Sequence, residues 1–196
     1  MNFYAEHTDI SYGKNKIVEA LSKEIPEGKI TALIGANGSG KSTIPKTLCR
    51  IMKPDSGQVI LDGRSIHQMK GKELARRLAI LPQGPEAPEG LTVEELAAYG
   101  RSPHRSGYGR LSEKDNEEYK KTIVMVVHDL NHASLFADHI VAIKKGKILR
   151  AGKPDHVITS QICQEVFGVM ADVFTDPRTN RPLCIPYDHV VLGREE

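Results

Sequence analysis

The chain lacks what would fix it in a membrane or in a disulfide framework. Its longest strongly apolar run, Ile123 to Val127, is far short of the roughly 18 residues of a membrane span. The opening MNFYAEHTD carries no charged-then-apolar leader pattern. Direct membrane insertion is therefore not expected, and work at a membrane would fall to a partner. Only three cysteines occur, Cys49, Cys163 and Cys184, an odd and widely spaced set without a C-x-x-C pair. That usage argues against a disulfide framework and against a zinc ribbon, and it suits a reducing cytosol. An excess of one charge is missing too. Lys plus Arg is 27 against 25 for Asp plus Glu, a net charge of +2, far from the basic surplus of a dedicated nucleic-acid binder, so no nucleic acid is expected as partner. No internal repeat or low-complexity segment stands out.

What is present is enough for one domain with one sizeable core: 196 residues, of which 39% are hydrophobic. The first forty residues read as short strands and turns, with turn clusters at Ser11–Lys16 and Ile25–Lys29. Ile30–Ile34 reads as a buried strand, followed by a glycine-rich loop and a helix from about Lys41 to Met52. Val59–Leu61 is a strand, Lys70–Arg77 a charged helix and Leu78–Pro82 a further strand. Thr92–Tyr99 opens a helix with Thr92 as cap and Glu95 three residues on, a pairing that satisfies free backbone donors at a helix start. Ser112–Lys121 is a charged helix that runs into the strand TIVMVV without the Gly- or Asn-bearing turn normal at such a junction. Beyond it come a helix opened by His128-Asp129-Leu130-Asn131-His132, an antiparallel pair across Lys145-Gly146-Lys147, a helix near Ser160–Phe167 and a Pro-rich end.

The strongest motif is GANGSGKST, Gly35-Ala36-Asn37-Gly38-Ser39-Gly40-Lys41-Ser42-Thr43. It fits G-x-x-x-x-G-K-[ST] with the strand before and the helix after that the motif requires. Its glycines let backbone N–H groups converge on one hollow, which suits a polyphosphate. Lys41 would reach the terminal phosphates, and the Ser42 hydroxyl would hold a magnesium ion bridging two phosphate oxygens. ATP and Mg2+ are the cofactors this loop calls for.

From Ile10 to Ile185 the chain resembles the ATP-binding subunit of an ABC transporter. Tyr12, 29 residues before Lys41, is similar to the aromatic that stacks on adenine. Gln83 in LPQ is similar to the glutamine that reaches the metal and the attacking water and senses the membrane partner. His128 after TIVMVV is similar to the switch histidine on the terminal phosphate. The tail from Gly152 to Pro186 resembles importers of iron-siderophore, haem or cobalamin, with the iron-siderophore branch the best match.

The resemblance implies an α/β fold: a P-loop NTPase core with a RecA-like parallel sheet and helices, plus an N-terminal antiparallel β region. It implies one nucleotide-binding domain over 1–196, with the β region and loop strand in 1–34, core in 35–83, a remnant of the helical subdomain in 84–121 and the switch-histidine part in 122–196. It also implies transmembrane permease subunits as partners, a homodimer in the family, and a cytoplasmic place on the inner face of the membrane.

Three family elements are absent from the sequence: the LSGGQ signature, an apolar strand ending in Asp then Glu, and the loop after it. The match runs to about Tyr119 and resumes near Lys121, so an internal block is missing. In the family that Asp assists magnesium and that Glu polarises the attacking water. Losing a base is commonly worth about 10²- to 10⁴-fold in rate, which argues against full turnover by this chain. Loss of the signature, which the second subunit normally contributes, argues against dimer closure on ATP. Without the central strand, either a gap opens in the sheet or the strands before Gln83 and His128 close on each other. The 38 residues between Gln83 and Thr122 allow such a closure. Pro45 stands in the expected loop helix and would cost up to about 3 kcal/mol in its interior.

Other readings compete. A nucleotide-binding remnant that no longer hydrolyses keeps the same residues. A small-molecule P-loop kinase would need a lid, for which Arg101, Arg105 and Arg110 are a weak set more economically read as a solvated basic loop. His128 and His132 have the i, i+4 spacing of a zinc helix, yet Asp129 stands where a metalloprotease needs the longer Glu, so Asp129 reads as a helix cap.

Overall fold

The computed structural model describes residues 1–80 and 121–189. Gln83, the Thr92–Tyr99 helix, the Arg101–Arg110 loop and all of the Ser112–Lys121 helix except Lys121 lie outside the described residues.

The N-terminal part is a four-stranded antiparallel sheet in the order β2-β1-β4-β5, with β1 Phe3–Tyr12, β2 Asn15–Glu24, β4 Ser56–Leu61 and β5 Arg64–Ser65. The central part is a second sheet in the order β6-β3-β7-β8: β3 Ile30–Gly35, β6 Ile123–Val126, β7 His139–Lys144 and β8 Lys147–Gly152. Here β3 runs parallel to both β6 and β7, while β8 returns antiparallel from β7. A separate hairpin pairs β9 Val169–Asp176 with β10 Arg181–His189. The helices are short: α1 Thr43–Leu48, α2 Gly71–Ala75, α3 Leu130–Phe136, α4 Pro154–Val157 and α5 Ser160–Ile162, the last continuing as a π turn, Cys163–Phe167.

The run ITALIG makes β3 because it is covered on both faces, as an apolar parallel strand must be. Its Leu33 joins Ile10, Val18, Leu61, Val141 and Ile143 in a core between the two sheets, closed at the side by Ile44 and Leu48 of α1. Its Ala32 and Ile34 join Ile140, Ala142, Ala133, Val157 and Cys163 in a second core under α3 to α5. The parallel sheet with helices and the antiparallel N-terminal sheet agree with the fold class read from the sequence.

Three findings refine that reading. The loop helix starts at Thr43 rather than Lys41, so Pro45 falls in its first turn. An N–H at that position has no partner within the helix, so a proline there gives up no intrahelical hydrogen bond. Second, Leu78–Ile80 is not a strand, and among the described residues β6 pairs only with β3. Among the described residues no strand lies on the outer side of β6, where Ile123 and Met125 are exposed. Third, the Pro-rich end is a two-stranded sheet. Pro182 and Pro186 fit in it because a strand with one neighbour needs only half its N–H groups for pairing.

Candidate nucleotide site

The loop Gly35–Thr43 leaves the C-terminal end of β3 and is clamped from below. Gly35 is buried where a Cβ would lie 2.5 Å from the Ile143 carbonyl oxygen and 2.6 Å from Ser39 Oγ, so only glycine lets the loop turn here. Ser39 N–H donates to the Ala36 carbonyl at 3.2 Å, and Thr43 and Ile44 N–H both donate to the Gly40 carbonyl, at 3.0 and 3.3 Å. The N–H groups of Gly38, Gly40, Lys41 and Ser42 donate to no backbone carbonyl among the described residues. Those donors remain available to a ligand.

Lys41 is 4% exposed, and its Nζ donates to the Ala36 carbonyl at 3.0 Å. Among the described residues no carboxylate lies within ion-pair reach of it. Burial pushes its ammonium below the usual lysine range, because desolvation penalises a cation without a counter-ion. A buried cation held among free N–H donors suits an anion. Ser39 Oγ is also buried without a partner among the described residues. Ser42 is exposed and makes no side-chain cap bond, which leaves its hydroxyl free for a metal. The donor set thus fits a polyphosphate with a hard cation.

Two neighbours position this loop that sequence reasoning did not single out. Gly146 N–H, in the turn between β7 and β8, donates to the Ser39 carbonyl at 3.1 Å, and its own carbonyl accepts from Glu19 N–H at 3.1 Å. Gly40 packs on Ile17 and Val18 of β2. Turn chemistry at Lys145-Gly146-Lys147 was legible as a hairpin signal, but nothing in it names the loop as the thing it supports.

The remaining site residues are distributed as follows. Tyr12 ends β1 opposite Asn15, 49% exposed, on the hairpin whose Ile17 and Val18 touch Gly40. His128 follows Val127, whose N–H donates to the Leu33 carbonyl at 3.1 Å. It therefore leaves β6 at the same end of the sheet as the loop leaves β3. Asp129 caps α3, its carboxylate accepting from His132 N–H at 2.9 Å, as the sequence indicated. Asn131, in the first turn of α3, grips β10: its Oδ1 accepts from Cys184 N–H at 2.7 Å and its Nδ2 donates to the Cys184 carbonyl at 3.0 Å.

Comparison with known proteins agrees with this geometry. A family model described as ABC transporter matches residues 18–154. The chain is 39% identical to the iron(3+)-hydroxamate import ATP-binding protein FhuC of Bacillus subtilis, covering 97% of this chain and 96% of that one. It is 30% identical to the ferric enterobactin transport ATP-binding protein FepC of Escherichia coli, covering 96% and 93%. The FhuC alignment spans 259 positions against 196 residues, so at least 63 positions (259 less 196) have no counterpart here. A deletion of that order is what the missing signature and Asp-Glu strand require. Among solved structures, an inward-facing conformation of a metal-chelate type ABC transporter aligns with TM-score 0.72 at 15% identity, over 95% of this chain and 97% of that one. The ATP-binding subunit of an ABC transporter aligns with TM-score 0.65 at 19% identity, over 80% and 92%. At those identities the structures speak for the fold, while the family match and the curated relatives carry the assignment: the chain belongs to the ABC transporter family.

Proposed function

We propose that the chain is the ATP-binding subunit of an importer for iron-siderophore complexes, working beside transmembrane permease subunits on the inner face of the cell membrane. The observation that carries this reading is Lys41, a buried cation with no carboxylate beside it among the described residues, set in a loop of unspent N–H donors. The iron-siderophore assignment is supported by the relatives, named for hydroxamate and enterobactin import.

Within this reading the loop N–H groups and Lys41 bind the phosphates of ATP. Ser42 and Gln83 would hold Mg2+, which would supply charge neutralisation at the terminal phosphates. Tyr12 stacks on the base, and His128 contacts the terminal phosphate. No residue in the sequence stands for the Glu that activates water in the family. Binding is therefore retained while turnover is slow, and a non-hydrolysing nucleotide-binding module is the second reading. It is favoured by β6, which among the described residues has no strand on the side where the one carrying that Glu would lie.

Phosphate release from Mg-ATP, compared with a full-length relative, separates the two readings. The first expects release slower by about 10²- to 10⁴-fold, the worth of a base, yet above the water rate. Release at the uncatalysed rate, with nucleotide still bound, supports the second. Absence of nucleotide binding contradicts both.

A further inference from the structure

Two of the three cysteines, 21 residues apart in sequence, meet inside the second core. Cys163 opens the π turn and Cys184 lies within β10, with their Sγ atoms 3.4 Å apart and their residues 0% and 5% exposed. Both are free thiols. A disulfide needs about 2.05 Å between sulfurs, so closure requires the two sulfurs to move closer together. The approach is held in place from one side, because Asn131 fixes the Cys184 backbone through both its N–H and its carbonyl. Cys49 lies elsewhere, with its Sγ near the Ala79 carbonyl at 3.8 Å.

We propose that Cys163 and Cys184 form a reversible dithiol–disulfide site, oxidised by exchange with a small disulfide such as oxidised glutathione, that locks the β9–β10 hairpin to the π turn. One cysteine thiolate attacks the small disulfide, forming a mixed disulfide and releasing one small thiolate. The other cysteine thiolate then attacks the protein sulfur of that bond and displaces the second small thiolate. The protein loses two electrons and two protons, and the small disulfide takes them up as two thiols. Exchange proceeds through the thiolate. In the closed state burial and the adjacent Cys184 thiol push Cys163 up to about 12, so reaction awaits opening of the hairpin. That hairpin is the element suited to open. It is a two-stranded sheet held to α3 by Asn131, by Ser134 Oγ donating to the Pro182 carbonyl at 2.6 Å, and by Arg181 donating to the Ala137 carbonyl at 3.0 Å. A supersecondary unit of this kind can open locally at a free energy below that of global unfolding. The lock lies under α3, whose Asn131 stands three residues after His128, so oxidation stiffens the segment that carries the switch histidine.

The test is incubation of the folded chain with oxidised glutathione, alkylation after denaturation, and peptide mapping. A Cys163–Cys184 crosslink is expected in the wild type and in Cys49→Ser, and none in Cys163→Ala. The mapping on the wild type stands even if that last variant fails to fold. Amide exchange over Val169–His189 should slow at least tenfold in the oxidised chain. Free Cys163 and Cys184 after equilibration, both in the folded chain and after refolding in the same buffer, would overturn the site, as would a crosslink to Cys49. Unchanged exchange over the hairpin would overturn the lock.

Discussion

Gly146 N–H donates to the carbonyl of Ser39 at 3.1 Å, so the β7–β8 turn holds the floor of the phosphate loop. The contact is possible only for a glycine. Its φ is +77°, and a Cβ would lie 2.2 Å from the Ile17 carbonyl oxygen. Gly146→Ala should therefore cost more than the roughly 1 kcal/mol of an ordinary left-handed strain and should weaken nucleotide binding with it. Gly63→Ala is the control, since φ there is +78° with open space around it. Urea midpoints and ATP titrations of both variants check this; equal losses would mean the turn does not support the loop.

Pro45→Ala should change stability by less than about 1 kcal/mol. Proline costs about 3 kcal/mol in a helix interior, but Pro45 sits in the first turn of α1. A large stabilisation in denaturant melts would show that the helix begins earlier.

Asp129→Ala should destabilise by about 1 kcal/mol, the usual worth of an N-cap, through loss of the bond from His132 N–H. Asp129→Asn should recover most of it. A failure of both to move the unfolding midpoint would remove Asp129 from the cap.

Stability should fall as pH drops through about 6.5. Burial first, and then the charge of Lys23, hold His139 below its usual 6.5; burial, Arg50 and Lys53 do the same to His67. A folded-state value below the unfolded one means that the unfolded chain takes up the proton first. The stabilisation is thus complete above 6.5 and lost below it. Urea midpoints taken about one unit above and below that value should differ in the wild type and differ less in His139→Gln.

How much of this was legible depended on whether the signal was local. Gly35–Thr43 could be read because strand, glycines, Lys41 and helix are contiguous, and Asp129 because a cap is defined by the three residues after it. The two-residue shift in the start of α1 was not readable, since Lys41 and Ser42 suit a helix and the loop claims them instead. The β9–β10 hairpin was obscured by Pro182 and Pro186, which lower strand propensity but are tolerated in a two-stranded sheet. The Gly146–Ser39 bond and the Cys163–Cys184 approach join residues far apart in sequence, and no local pattern encodes either. The widely spaced cysteines gave no hint that two of them touch.

The central claim is that Lys41 and its loop hold the phosphates of ATP. Calorimetric titration of the chain with Mg-ATP, beside Lys41→Ala, tests it most directly. Charge-assisted bonds are worth about 1.5–3 kcal/mol each, so the variant should bind at least about tenfold more weakly than the wild type. Equal affinity in the two proteins would contradict the account.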